Sequence, residues 1–230
     1  MIVNKMPSKT EWIDTFVKSN KYQTLLEKTN SYKLEPILLF DELNVNNQSR
    51  PNTPREHDIR AGIFDLQPFY ILDYISQHTQ ESIYDIGCGF NFFKNFYNIV
   101  GIDPNSTYAD IKDVFDDEFC FKYRNKLPNI FSINAIHFTS FDSLEIRIKK
   151  YFDLVSSGYA YLAINLSRVY EKTFNKSLRD KEQFVEVFDK IKTIKKIISN
   201  IEGEVLMLED SFIKNPDSGM NGNIRVLIKR

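Results

Sequence analysis

The sequence predicts an α/β protein: a mostly parallel sheet flanked by helices and closed by an antiparallel terminal hairpin. Three observations carry this. After residue 80, short apolar runs alternate with segments of helical periodicity, the pattern of parallel strands joined by crossover helices. The run Asn129–Phe138 carries Ile130, Phe131, Ile133, Ala135, Ile136 and Phe138, and reads as a strand buried on both faces. The chain then ends on two apolar segments, Glu204–Asp210 and Asn223–Lys229, separated by the turn-rich residues 215–222, which reads as a hairpin.

Within this frame Ser82–Ile86 is the first strand, running into two glycines. Asn91–Tyr97 follows as a short helix, and Ile99–Asp103 as the second strand. Asp110–Val114 reads as the third strand, with little room for a helix before it. Asn129–Phe138 is the fourth, Ser143–Val155 a helix, and Tyr159–Asn165 the fifth strand. Lys181–Asn200 is the longest helix, with Phe184, Val187, Phe188, Ile191, Ile194 and Ile198 on one stripe, the periodicity of a helix with one apolar face. Lys190, Lys192, Lys195 and Lys196 are interleaved with that stripe and form its wet side. With the terminal hairpin the sheet has seven strands.

The first 80 residues read differently. Trp12, Phe16, Val17, Tyr22, Leu25 and Leu26 fall near helical spacing, giving one or two amphipathic helices. Leu34–Leu43 is apolar but broken by Pro36, and residues 44–60 are polar and proline-punctuated, a loop. Asp65–Ser76 is a helix begun near Pro68. The expected division is a helical extension, 1–80, capping a domain at 81–230.

Composition excludes several classes. The chain has 230 residues, 42% hydrophobic and 27% charged, within the globular range. Lys and Arg total 30 against 31 Asp and Glu, a formal net charge of −1, without the cation excess of a protein that wraps nucleic acid non-specifically. Two cysteines make no disulfide framework, and no Cys/His cluster has metal-ligand spacing. No apolar run is long enough to cross a bilayer, and the N-terminus lacks a signal-peptide pattern. The expectation is a reduced, soluble, cytoplasmic protein with no metal and no membrane partner.

The most informative segment is Asp85-Ile86-Gly87-Cys88-Gly89-Phe90-Asn91. An acidic strand end meets alternate glycines, which let the backbone turn tightly and approach a ligand. A dinucleotide loop would need G-x-G-x-x-G, and Phe92 stands where its last glycine belongs. Asp103, 14 residues beyond Gly89 at the end of the second strand, offers a carboxylate able to accept both hydroxyls of a ribose.

These residues resemble motif I of class I S-adenosylmethionine-dependent methyltransferases, with Asn91 where a third glycine is common. The resemblance spans residues 82–230 and implies a Rossmann-like methyltransferase sandwich with S-adenosyl-L-methionine as cofactor. It assigns Asp85, Gly87, Cys88 and Gly89 to the cofactor loop, with the Cys88 thiol a small apolar filler. Gly101-Ile102-Asp103-Pro104 resembles the ribose-binding strand end. Asp110–Val114 resembles the third-strand end, with Asp113 (alternatively Asp110) and Val114 at the adenine. Ser132–Phe138 resembles motif IV, placing Asn134 near the methionine end and His137 as the candidate general base.

The acceptor is narrowed by absences. Asn134-Ala135-Ile136-His137 lacks the Asp/Asn-Pro-Pro-Tyr of amino-methylating enzymes. No Pro-Cys nucleophile is present, and the Lys-Asp-Lys-Glu set of ribose methylators is not evident. The resemblance therefore implies a methyltransferase acting on a small molecule or RNA, with no DNA partner. The rival reading is a non-catalytic protein that keeps the fold as a binding or assembly module. Arg50, Arg55, His57 and Arg60, and Tyr159, Tyr161 and Tyr170, are the acceptor-side candidates, set against ordinary roles as solvated loop charges and packing residues.

Overall fold

The computed structural model describes residues 6–31, 37–39, 63–136, 144–165, 181–215 and 219–230. The chain forms two compact units: Met1–Gln80 with Asn95–Tyr97, and Glu81–Lys94 with Asn98–Arg230.

The first unit contains α1 (Lys9–Phe16), α2 (Asn20–Ser31), a parallel pair β1 (Ile37–Leu39) and β2 (Ile63–Asp65), and α3 (Gln67–His78). A capping box opens α1: the Glu11 N–H donates to Ser8 Oγ at 3.2 Å, and the Ser8 N–H to Glu11 Oε2 at 3.0 Å. Two of the helix's orphan donors are thereby satisfied. Trp12 and Phe16 stack at 4.5 Å between ring centroids, and Phe16 meets Phe69 of α3 at 5.4 Å. Pro68 lies in the first turn of α3, where its missing N–H costs nothing. Every residue from Gln67 to Ile75 is buried.

One carboxylate organises this unit. Asp73 Oδ2 accepts the Trp12 indole N–H at 2.9 Å, and Oδ1 accepts the Tyr97 hydroxyl at 3.0 Å and pairs with Lys21. The Lys21 ammonium also lies 4.3 Å from the Tyr97 ring centroid. Burial, then the Asp73 charge, push the Tyr97 phenol well above its ordinary range, so this hydroxyl stays a donor.

The second unit is the sheet. Its strands are β3 (Ile83–Ile86), β4 (Ile99–Ile102), β5 (Asn129–Ile133), β6 (Tyr159–Asn165), β7 (Glu204–Asn215) and β8 (Gly219–Lys229). They lie in the order β4-β3-β5-β6-β8-β7, with β3, β4, β5 and β6 parallel and β8 antiparallel to its neighbours. The strand order reverses at β3, the topological switch point where open α/β sheets bind ligands. This is the mostly parallel sheet with an antiparallel terminal hairpin that the sequence predicts, with one strand fewer among the described residues.

The helices are α4 (Asp117–Tyr123), α5 (Leu144–Phe152) and α6 (Lys181–Ser199). Asp116 caps α4 by accepting the Phe119 N–H at 2.9 Å. Phe119, Cys120, Ile148, Tyr151, Phe152, Ile191, Ile194 and Ile198 form one core with Ile86, Ile102, Ile130, Leu162, Ile164, Ile224, Val226 and Ile228 from the strands. Fully burying an aliphatic side chain of this size contributes about 1.5–3 kcal/mol. Lys192 and Lys196 are exposed on α6, as its amphipathic pattern requires, and Lys195 reaches Asp210 at 2.6 Å. The side chains of Phe184, Val187, Phe188 and Lys190 lie outside the described residues.

Four sequence expectations are corrected. The third strand shrinks to a single bridge, Ile102 with Ile111, because only residues 103–110 connect the two segments and they are spent on turns. The helix expected over Asn91–Tyr97 is one 3₁₀ turn, Phe92–Asn95. Asn91 enters it at φ 52°, and the asparagines at 91, 95 and 98 are poor helix formers. The fourth strand stops at Ile133 rather than Phe138, because Asn134 turns left-handed at φ 53°. The terminal strands are longer than expected, since pairing continues from Ser211 opposite Asn223 to Asn215 opposite Gly219, through Gly and Asn residues that read as a turn.

Candidate functional site

At the C-terminal ends of β3 and β4 the chain makes an unusual run of left-handed residues. Gly87 has φ 78°, Gly89 φ 53° and Asn91 φ 52°, a region that glycine enters freely and asparagine tolerates. The Gly87 and Cys88 N–H groups both donate to the last carbonyl of β4, Ile102 O, at 2.7 and 3.2 Å. The Ile86 carbonyl accepts the Ser132 hydroxyl of β5 at 2.8 Å. The loop is thus anchored to the strand on each side of β3.

Gly87 also answers to packing. A Cβ built there would stand 2.1 Å from Ala135 Cβ. The glycine loop and the segment after β5 therefore meet at a point where only hydrogen fits. Asn134, beside it, is buried and donates its N–H to Ala163 O of β6 at 2.8 Å.

Asp103 follows β4. Its Oδ2 accepts the Gly89 N–H at 3.1 Å, and its Oδ1 accepts the N–H groups of Asn105 and Ser106 at 3.0 and 3.1 Å. Three of the roughly four hydrogen bonds a carboxylate can accept are thus made to backbone. A diol engaging both oxygens must displace at least one of them. The Ser106 hydroxyl donates to the Gly89 carbonyl and accepts the Tyr108 N–H at 3.1 Å. Loop and carboxylate form one hydrogen-bonded block.

Asp110 and Asp113 divide their work. Asp110 Oδ2 accepts the Asn91 side-chain amide at 3.0 Å and the Gly101 N–H at 2.9 Å, while Oδ1 pairs with Lys94. The Lys94 hydrogen bond, ahead of the others, holds the Asp110 carboxyl below its ordinary value. Asp113 accepts its neighbour Val114's N–H at 2.9 Å and pairs with Lys122 at 3.1 Å. Val114 is 42% exposed, so an apolar side chain stands open beside this carboxylate. Of the two carboxylates weighed for adenine, Asp110 is committed to the protein's own backbone and amide groups.

Asp85 is buried within β3, in register with Gly101 and Phe131. The Cys88 sulfur occupies space that a side chain at position 101 would need, 2.7 Å from a Cβ built there, as its reading as a filler requires. Phe131 stacks on Tyr161 at 5.2 Å, so Tyr161 is a packing residue; Tyr159, also buried, lies under the Lys229 ammonium at 5.9 Å. His137, Arg50, Arg55, His57, Arg60 and Tyr170 lie outside the described residues.

Sequence reasoning missed Asn91, Lys94 and Ser106 as parts of the site. A signal existed for Asn91 alone: an asparagine in a slot where glycine is common is the residue best able to keep a left-handed backbone and add an amide. Among the described residues no group of three or more His, Cys, Asp or Glu is placed to hold a metal ion, and no helix is long and apolar enough to cross a membrane.

No family model and no curated protein matches this sequence. Among solved structures, the chain is similar to protein 1320 of Thermoplasma acidophilum, at 13% identity and a TM-score of 0.41, over 82% of this chain and 94% of that one. It is similar to the methyltransferase domain of a bacterial Hen1 at 13% identity and TM-score 0.34, over 70% and 95%. A SAM-dependent methyltransferase of Methanosarcina mazei matches at 15% and 0.33, over 68% and 96%. At these values the likenesses carry no argument of their own; strand order and loop geometry do.

Proposed function

We propose that this chain binds S-adenosyl-L-methionine on its glycine loop and transfers the methyl group to a small-molecule or RNA acceptor. The observation that supports the reading is the block joining the left-handed Gly87 and Gly89 to the Asp103 carboxylate at the switch point of the sheet. Glycines keep the loop free of side chains, and the strand-end carboxylate suits the ribose hydroxyls. The Gly89 N–H is the bond that a ribose hydroxyl would displace from Asp103. Asp113 and the exposed Val114 are assigned the adenine amino group and ring face, and Asn134 the methionine end. Asp85 and Cys88 serve the loop from beneath.

The cofactor's sulfonium makes its methyl group electrophilic. What the protein adds is position: holding the acceptor atom in line and excluding water accounts for much of the acceleration. Where the acceptor must lose a proton, His137 is assigned as the base, its ordinary pKa lying near neutrality. A second reading draws on the missing third strand and the single 3₁₀ turn after the loop: a descendant that keeps the fold for binding or assembly without catalysis.

Calorimetric titration separates the two. The methyl donor and its demethylated product are both expected to bind, with NAD as the non-binding control. Asp103→Ala is expected to weaken both by about 1–3 kcal/mol, the cost of a lost charged hydrogen-bond acceptor. Unchanged affinity in that variant rejects the ribose placement, and no binding by the wild type favours the second reading.

A further inference from the structure

We infer that Asn91 and Asp110 act as a positioning pair that holds the glycine loop in its ligand-ready form, standing in for the third strand and the loop-following helix that are absent among the described residues. The inference rests on the adenosyl reading above and goes beyond it by assigning residues that need not touch the ligand.

The loop has an unusual problem to solve. Three residues at alternate positions, Gly87, Gly89 and Asn91, sit in the left-handed region, and two of them are glycines, which lose the most freedom on ordering. A following helix would normally hold such a loop by its own hydrogen bonds, but here one 3₁₀ turn follows. A third strand would take the outward N–H groups of β4, but here one bridge remains.

The Asn91 amide and the Asp110 carboxylate meet both needs. Asn91 Nδ2 donates to Tyr108 O at 3.1 Å and to Asp110 Oδ2 at 3.0 Å. The same Oδ2 accepts the Gly101 N–H of β4 at 2.9 Å, the place a neighbouring strand's carbonyl would fill. The Gly101 carbonyl in turn accepts the Asp110 and Ile111 N–H groups at 2.9 and 3.0 Å. Gly101 makes this approach feasible: a Cβ there would lie 2.5 Å from Asn91 Nδ2 and 2.7 Å from Cys88 Sγ. Asn91 is 4% exposed, and its Oδ1 is buried with no hydrogen-bond partner. The protein tolerates that unsatisfied acceptor, a cost that a third glycine would avoid. The amide's two donated bonds are what it gains.

The test uses Asn91→Gly, Asp110→Asn and the double variant of the full chain. Glycine keeps the left-handed backbone open, so Asn91→Gly removes the amide without imposing strain. S-adenosylhomocysteine affinity is read by calorimetry, and amide hydrogen exchange across residues 87–92 and 99–111 is read without ligand. Each single variant is expected to bind about tenfold more weakly. The double variant is expected to be no worse than the weaker single one, since coupled residues are not additive. Exchange should quicken in those two segments and leave β6 and β8 unchanged, and added ligand should restore the protection.

Equal affinity of wild type and Asn91→Gly overturns the pairing while leaving the adenosyl reading intact. Additive losses, or exchange that quickens through the whole sheet, also overturn it, because they report general destabilisation. If the wild type binds no adenosyl ligand, the adenosyl reading and this inference fall together.

Discussion

Gly87 is constrained twice over, by a φ of 78° and by Ala135, whose Cβ stands 2.1 Å from where its own would be. Only glycine meets both demands, and neither involves a ligand. Gly87→Ala is therefore expected to cost about 1–3 kcal/mol of folding stability, from left-handed strain and overpacking, read as a shifted midpoint in urea unfolding. Cys120 makes the opposite case, a reactive group silenced by its place. Burial pushes its thiol up to about 12, with Lys150 opposing and nearby aspartates adding to the shift. The thiolate, the reactive form, is then scarce at pH 8. Iodoacetamide is expected to leave Cys120 unlabelled in the native protein and to label it in guanidinium, as peptide mapping will show. The position of a residue was readable in the sequence where it follows a strand end, as Asp103 follows β4 and meets the glycine loop. Residue chemistry was not readable where a side chain acts across the fold: nothing local tells that Asn91 reaches Asp110, 19 residues away.

At the scale of elements, the strongly apolar pieces were legible and the polar connections were not. β6 is found where its apolar run places it, and β5 begins where its run begins, because burial on both faces leaves a strong apolar signal; the sequence does not mark the left-handed turn at Asn134 that ends β5. The third strand and the helix after the loop failed for a shared reason: Asp110–Val114 and Asn91–Tyr97 read locally as regular elements, and turns fastened by Asp103, Ser106 and Asn91 took the chain around them instead. The extra length of β7 and β8 was hidden because Gly and Asn signal turns locally, whereas ladder pairing is decided by the partner strand. The Asp73 cluster was hidden as well, a lone acid among the apolar residues of α3. Asp73→Ala leaves the buried indole N–H of Trp12 and hydroxyl of Tyr97 without their acceptor. A loss of about 1–3 kcal/mol is expected, with the Trp12 fluorescence change on denaturation moving to lower urea.

For the whole molecule, the division into two units follows the chain except at Asn95–Tyr97, which belong with Met1–Gln80 although flanked by residues of the sheet unit. Tyr97 carries that exception through its hydroxyl, which donates to Asp73 and to Phe69 O at 3.2 Å. The sheet itself has two edges among the described residues, β4 and β7. On β4, Asp110 and Ile111 occupy the outward groups of Gly101. β7 is different: its 12 residues bear the exposed apolar side chains of Val205 and Leu208. An edge of this kind is a template for pairing with another chain. What guards it is the register shift between Val205 and Met207 and the exposed acids Glu204 and Asp210. The long terminal hairpin thus leaves the open edge of the sheet under the charge of Glu204 and of Asp210, the latter shared with Lys195. Replacing Glu204 and Asp210 together by threonine is expected to leave the fold in place and to increase concentration-dependent association over that of the native chain, as sedimentation velocity will show.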